Sequence, residues 1–243
     1  MERQGTTGED ERRKGTPSRV PALEALRRPP AAVLTAVLIA GLFFSFPPTA
    51  PGLAVAPTSI VDEWTAVKVP PPPALKPVTV DPTTTAFLIL DIVTQTCNLE
   101  RRPRCVASVP KIAALLARAT EKKMLVIYSI VSGGKVDDIL PAVRPFPGQP
   151  VVTATLDKFL GTDLDTILKG QNIKTIIVAG TAAHGAVMTT SSEAAQRGFQ
   201  VDVPVDLMSA ELLYAEQYVA WHLANAPAIA ARITLTRSDL IRF

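Results

Sequence analysis

Two charged side chains occupy positions from which they could transfer protons. Asp91 closes the apolar run "TAFLILD" (residues 85–91), which places its carboxylate at the end of a predicted buried strand. Loss of hydration at such a position raises a carboxyl pKa and suits the group to acid or base catalysis. Lys158 lies in "ATLDKFLGTDLDTIL" (154–168), on a loop that leads into a helix. An Asp that only caps a strand and a Lys that is only solvated are the alternative interpretations.

The stretch "GTAAHGAVMTT" (180–190) is a turn of small residues between a predicted buried strand and a predicted helix. A turn of this kind presents the nucleophile of many hydrolases at the mouth of a parallel sheet. This one contains no Cys and no Asp, and its first hydroxyl belongs to Thr181. His184 lies in the turn, where it could contact a ligand or serve only as a cap or surface residue. His222, on the apolar helix "YVAWHLA", is expected to be packed or at the surface.

The elements that position these residues follow from hydrophobic periodicity. Short apolar runs alternate with amphipathic stretches, which predicts strands at 85–91, 124–131, 174–180, 199–206 and 231–240 and helices at 111–123, 162–170, 186–198 and 210–226. This alternation indicates βαβ units and a mostly parallel sheet with helices on both faces, that is, a three-layer α/β/α sandwich. The functional crevice of such a fold lies beyond the carboxyl ends of the strands. Asp91 and the 180–190 turn are therefore expected at the same edge.

Length, composition and charge limit the functional classes. The 243 residues suffice for one large domain with an appendage, and 47% hydrophobic residues are ordinary for a globular protein. The net charge of +3 comes from scattered Lys and Arg residues, so no nucleic-acid surface is indicated. The sequence has neither a dinucleotide fingerprint nor a Walker loop, and we expect no cofactor.

The N-terminal region carries an export pattern. The apolar run "AAVLTAVLIAGLFFSF" (31–46) follows a pair of arginines and is short for a bilayer span, which needs roughly 20 residues. We interpret residues 1–56 as a signal peptide cleaved after Ala54 or Ala56, or alternatively as an uncleaved membrane anchor. Both interpretations place the body of the protein outside the cytoplasm, in the periplasm or the extracellular space.

Proline marks the next boundary. Residues 57–80 contain "PPPPALKP" and are expected to form an extended arm, because proline fixes φ and removes hydrogen-bond donors. Residues 81–243 carry the alternating pattern and are expected to form the α/β domain.

Both cysteines of the chain, Cys97 and Cys105, lie in the short stretch "TQTCNLERRPRC". Two thiols this close in sequence can bridge in an oxidising compartment, and we favour a disulfide over two unrelated thiols. A metal site is disfavoured because no His, Asp or Cys pair accompanies them at ligand spacing.

Taken together, these pieces resemble the isochorismatase-like cysteine hydrolase family. The resemblance covers residues 84–238 and is carried by "FLILD" followed by "DKFLGTDLDTILKGQNIKTIIVAGTAAHGAVMTTSSEAAQRGFQVDVPVD", with Ser209 and Ala210 after it. The family includes nicotinamidases, carbamoylsarcosine-type amidohydrolases and isochorismatases. It implies a Rossmann-like sheet and a small-molecule substrate or ligand, and it allows a homo-oligomer.

The resemblance also implies roles for individual residues. Asp91 and Lys158 match the catalytic Asp and Lys of the family, whereas Ala186 falls where the family has its nucleophilic Cys. The backbone amides of Ala182 and Ala186 would be the oxyanion donors, and a cis peptide is expected between Thr181 and Ala182.

The sequence departs from the family pattern in two further places. "DIVTQTC" replaces the usual residues after the acid, which puts the familiar substrate-loop contacts in doubt. "YSIVSGGKVDD" lacks the metal-binding Asp and His residues of the nicotinamidases, so no catalytic metal is expected.

Three functional classes fit these residues. The first is a hydrolase that works without a cysteine, in which Asp91 protonates a vinyl ether and Lys158 and His184 orient the substrate. The second is a catalytically inactive module that keeps a ligand pocket. The third uses Cys97 as a displaced nucleophile, which pairing with Cys105 would silence.

Overall fold

Seven strands form one parallel sheet in the computed structural model, which describes residues 59–243. The strands of the described region are β1 (Val78–Thr79), β2 (Thr85–Leu90), β3 (Leu125–Ile130), β4 (Val151–Thr153), β5 (Thr175–Thr181), β6 (Gln200–Pro204), β7 (Met208–Ser209), β8 (Ile233–Thr236) and β9 (Ile241–Arg242). The sheet order is β4-β3-β2-β5-β6-β8, and β7 pairs with the end of β5. Every pairing in this sheet is parallel, as the sequence pattern predicts.

Five α-helices accompany these strands in residues 59–243. They are α1 (Ile60–Glu63), α2 (Pro103–Glu121), α3 (Leu164–Gly170), α4 (Met188–Gln196) and α5 (Leu213–Asn225). Helix α2 begins eight residues before the predicted start at 111 and continues through Pro110. Pro103 supplies a helix start, and the helix buries Cys105, Val109 and Ile112 along one side. That burial explains why Pro110, an expected helix boundary, does not end it.

Strand β2 shows how the sheet separates two hydrophobic cores. Its side chains alternate between faces, as in any strand, and all six residues are buried. Leu88 and Leu90 join the core that includes residues of α3, α4 and α5. Phe87 and Ile89 join the core that includes residues of α2. The result is the three-layer α/β/α sandwich expected from the alternating pattern.

The segment before the sheet differs from a fully extended arm. Residues 60–66 form α1 and a 3₁₀ turn, and no helix or strand follows until β1. Strand β1 pairs in parallel with β9, a two-stranded contact that the sequence pattern does not show. The amide of Lys76 also donates to the carbonyl of Leu235, at 2.9 Å. The arm is thereby attached to the domain.

The predicted signal or anchor at residues 1–56 lies outside the described residues. Between residues 59 and 243, no helix combines the length and the apolar character needed to cross a membrane.

Candidate functional site

Gly180 sets the spacing between the two central strands at the site. It lies opposite Leu90 in the β2–β5 register, with φ of +139°. A Cβ atom at Gly180 would lie 2.1 Å from the Leu90 carbonyl oxygen, so only glycine fits without moving a strand. This close approach brings the end of β5, and the turn after it, beside Asp91 at the end of β2.

Asp91 and Lys158 form a buried ion pair at this edge of the sheet. The Lys158 Nζ donates to Asp91 Oδ2 at 2.8 Å, and the two side chains are 0% and 6% exposed, respectively. Lys158 Nζ also donates to the carbonyls of Ala154 (3.0 Å) and Thr155 (2.6 Å). An ammonium has three N–H donors, so every donor of Lys158 is engaged within the protein.

The remaining contacts of Asp91 come from the neighbouring strand and its own loop. Ser129, next to last in β3, donates its hydroxyl to Asp91 Oδ1 at 2.7 Å. Thr96 Oγ1 donates to the Asp91 carbonyl, which holds the loop after β2 against the strand end. Asp91 itself has φ of +53°, which turns the chain sharply at this point.

Opposing influences act on the protonation of Asp91. Burial raises the pKa of its carboxyl above the ordinary value, whereas Lys158, Ser129 and Arg102 each lower it; burial is the strongest influence and the pKa is raised. A carboxyl in this state is better able to hold a proton near neutral pH than an exposed Asp.

Thr190 connects the Lys158 loop with the helix that follows the turn. Its Oγ1 accepts the Lys158 amide at 3.3 Å and donates to the Leu156 carbonyl at 3.4 Å. A Cβ at Gly185 would lie 3.2 Å from the Leu156 side chain, so the loop also packs on the turn itself. The three segments that the sequence indicated, around Asp91, Lys158 and Ala186, therefore converge.

The turn after β5 has a distinct backbone. The Thr181–Ala182 peptide bond is cis, as the family resemblance predicts. Residues Ala183–Val187 then form a single π-helical turn that leads into α4. Ala186 is 2% exposed, so its methyl group is part of the core below the turn.

His184 is placed differently from the other candidates. Its side chain is exposed on the turn, and none of the hydrogen bonds between described residues involves its imidazole. His222 lies on α5 with its ring 5.7 Å from that of Tyr218. The contacts of the described residues bring neither histidine to Asp91 or Lys158.

The two cysteines form the expected disulfide. Cys97 and Cys105 are bonded, with their Cα atoms 5.3 Å apart, within the usual range for a disulfide. Because both sulfur atoms are used in this bond, the structure disfavours Cys97 as a displaced nucleophile. No group of three or more His, Cys, Asp or Glu residues is placed to hold a metal ion anywhere in residues 59–243.

Sequence reasoning did not single out Arg102 or Ser129 at this edge, and it named Ser209 only as part of the family resemblance. Ser129 lies near the carboxyl end of β3. The rule that functional sites lie beyond the carboxyl ends of parallel strands could have identified it. Ser209 pairs with Thr181, whose hydroxyl donates to the Ser209 carbonyl at 3.0 Å. Arg102 lies in the loop between the two bridged cysteines. The predicted disulfide was therefore the sequence feature that could have drawn attention to this residue.

Comparison with known proteins supports the family resemblance found in the sequence. The family model for the isochorismatase domain matches residues 85–236. The secreted isochorismatase effector Isc1 of Verticillium dahliae is 31% identical over 111 residues, which are 41% of this chain. The match spans 58% of the length of that relative.

Solved structures show the same fold at lower sequence identity. An isochorismatase family protein from Desulfovibrio vulgaris has a TM-score of 0.58 and 20% identity, over 64% of this chain and 95% of that one. N-carbamoylsarcosine amidase from Thermoplasma acidophilum has a TM-score of 0.55 and 20% identity, over 64% and 97%. An isochorismatase from Pseudomonas putida has a TM-score of 0.58 and 18% identity, over 76% and 99%.

Proposed function

Because the chain belongs to the isochorismatase domain family, we propose that it is an exported hydrolase that acts on a small molecule without a nucleophilic cysteine. Asp91 is the acid and base of this reaction. The observation that carries the proposal is the buried Asp91 carboxyl, whose pKa burial raises and whose orientation Lys158 and Ser129 fix. These features suit a group that must deliver a proton and then recover it.

The proposed reaction is hydrolysis of a vinyl ether. Protonated Asp91 transfers its proton to the terminal carbon of the enol ether, and the lone pair of the ether oxygen stabilises the resulting oxocarbenium ion. Water adds to this cation and returns a proton to Asp91. The hemiketal then breaks its carbon–oxygen bond, which gives a ketone and an alcohol. No step requires a thiolate.

Other residues have supporting roles in this proposal. Lys158 holds Asp91 in place through the 2.8 Å ion pair. The backbone amides of Ala182 and Ala186 are candidates for hydrogen bonds to a substrate oxygen, since backbone donors do not depend on the side chain. We assign to His184, whose side chain is exposed on the turn, contact with a substrate that enters from solvent. Ala186 occupies the position that the resemblance assigns to the family Cys.

A second candidate is a binding module that keeps the pocket and has lost catalysis. The buried methyl group of Ala186 favours it, because a methyl cannot attack a substrate. Turnover separates the two proposals, since a binding module retains affinity and releases no product.

Two observations support export of the protein. The described region contains a disulfide, and structural disulfides persist in oxidising compartments. The sequence relative from Verticillium dahliae is described as secreted. The apolar run at 31–46 is the proposed signal peptide or membrane anchor.

The direct test supplies isochorismate, an enol-pyruvyl ether, to the purified full chain and measures released pyruvate. The proposal expects pyruvate release that persists after treatment with a thiol alkylator under non-reducing conditions. Tight binding of isochorismate without pyruvate release would instead support the binding module.

A further inference from the structure

We infer that Arg102 is a specificity-determining residue that binds a carboxylate of the substrate beside Asp91. The inference rests on the proposed small-molecule site and names the residue that recognises the negative charge of its substrate.

Lys158 is the nearest cation to Asp91 and is not free to bind an anion. Its three N–H donors go to Asp91 Oδ2 and to the carbonyls of Ala154 and Thr155. The side chain is also 0% exposed. A substrate carboxylate could bind Lys158 only by breaking one of these bonds, so recognition of an anion requires another cation.

Arg102 lies next to the same strand end. Its Nη1 donates to the Thr96 carbonyl at 3.2 Å, and the Thr96 hydroxyl donates to the Asp91 carbonyl. On its other side, Arg102 Nη2 lies 3.5 Å from Glu211 Oε1. Glu211 follows β7, which pairs with the end of β5 at Thr181. Arg102 therefore lies between the loop after β2 and the segment that borders the turn.

Two polar atoms at this corner have no hydrogen-bond partner within residues 59–243. They are Arg102 Nε and the hydroxyl of Ser209, and both are buried. Arg102 is 7% exposed and Ser209 is 1% exposed. A buried donor without a partner destabilises the folded state, and a bound ligand or water would satisfy it.

The charges at the corner favour an anion. Arg101 and Arg102 share the single carboxylate of Glu211, at 3.1 and 3.5 Å. The remaining pair, Asp91 with Lys158, is neutral when both are ionised. Among these five groups the positive charges exceed the negative charges by one, and the excess increases when Asp91 holds a proton. A bound carboxylate would neutralise this excess and could accept the Nε–H of Arg102, which has no partner among residues 59–243.

The disulfide fixes the backbone on both sides of Arg102. Cys97 and Cys105 close the loop that carries it. Within the loop, the Arg102 amide donates to the Asn98 carbonyl at 2.8 Å, and the Cys105 amide donates to the Arg102 carbonyl at 2.9 Å. A positioned arginine binds an anion more tightly than a mobile one, because less conformational entropy is lost on binding.

The test compares benzoate with benzamide, which share a ring and differ in charge, as ligands of the oxidised full chain. Calorimetric titration should show that the parent binds benzoate roughly 10- to 100-fold more tightly than benzamide, the range expected of a charge-assisted hydrogen bond. Arg102→Gln should remove that preference, and Arg102→Lys should restore part of it.

Two matched variants complete the experiment. Arg101→Gln removes the neighbouring, exposed guanidinium and should keep the preference for benzoate. Glu211→Gln removes the carboxylate that competes for Arg102 and should strengthen benzoate binding, with benzamide binding unchanged. This gain does not depend on whether Arg102 variants fold, which circular dichroism checks separately.

The outcomes separate this inference from the proposed function. Equal binding of benzoate and benzamide by the parent, no binding of either, or a preference that survives in Arg102→Gln would overturn the role of Arg102 even if isochorismate is hydrolysed. A preference that requires Arg102 in a protein that releases no pyruvate would support the anion site and contradict the hydrolase alone.

Discussion

The Lys158 ammonium and the Asp91 carboxylate lie 2.8 Å apart, both buried, and residues 67 positions distant in sequence are thereby joined at one edge of the sheet. Neither charged group is exposed to water, so each is stabilised mainly by protein groups, including the other member of the pair.

Asp91→Asn should reduce release of pyruvate from isochorismate by at least about 100-fold, since an amide cannot deliver the proton that the reaction needs. The parent rate should fall as pH rises through the pKa of Asp91, which burial raises. Asp137→Asn, at an exposed position, is the matched control and should keep the parent rate. Full turnover in Asp91→Asn would remove the acid mechanism.

Lys158→Met should destabilise the protein by roughly 3–5 kcal/mol at neutral pH, because it leaves the buried Asp91 carboxylate without its cationic partner. A carboxyl whose pKa is raised in the folded state contributes stability that is present below its unfolded pKa and is lost as pH rises. The loss in Lys158→Met should therefore be smaller in acid. Denaturant unfolding at two pH values measures this.

The control for that experiment is Lys169→Met, which breaks an exposed ion pair with Asp165 within α3. Its effect should stay below about 0.5 kcal/mol. Equal losses for Lys158→Met and Lys169→Met would show that the buried pair has no special role in stability.

Ala186→Cys should create a reactive thiol. Residue 186 lies in the π-helical turn that leads into α4. The start of a helix favours a thiolate over a thiol, so the pKa of the new Cys should lie below the unperturbed value of about 8.5. Iodoacetamide should then modify it faster than a free model thiol. Ala183→Cys, in the same turn, provides the comparison. Ordinary reactivity at 186 would mean that the turn no longer supports covalent catalysis.

Asp202→Asn tests a second buried carboxyl, on β6. Burial raises the pKa of Asp202 to about 6. Its contribution to stability is present below the unfolded pKa and disappears as pH rises through about 6, a change of roughly 2–3 kcal/mol. The variant should gain stability relative to the parent between pH 4 and pH 7. A difference between the two proteins that does not change with pH would contradict the assignment.

Particular residues show what sequence could and could not establish. Period and apolar character were enough for the parallel sheet, because "TAFLIL" and "TIIVAG" have few alternatives to buried strands. The family resemblance identified Asp91 and Lys158, which composition alone would leave ambiguous. The short strands β1, β4, β7 and β9 were missed, since two or three residues of pairing leave no periodic signal. The start of α2 was also missed, because the helix continues through Pro110.

Arg102 illustrates the other limit. A charged residue in a polar loop is expected to be solvated, and only the contacts of Thr96, Glu211 and the disulfide show that this one is buried. Such burial depends on segments more than 100 residues apart in the chain, which no local pattern records.

The pairing of β1 with β9 determines how the domain responds to mechanical load. The two strands run in parallel, and hydrogen bonds from Val80 to Arg242 and from Lys76 to Leu235 flank them. A force applied between the arm before β1 and the far end of β9 would pull parallel strands in opposite directions. The bonds between them would then be sheared together rather than opened one after another. A domain held by its arm at a surface would thus resist stretching at this strand pair and at the Lys76–Leu235 bond, which joins the arm to β8.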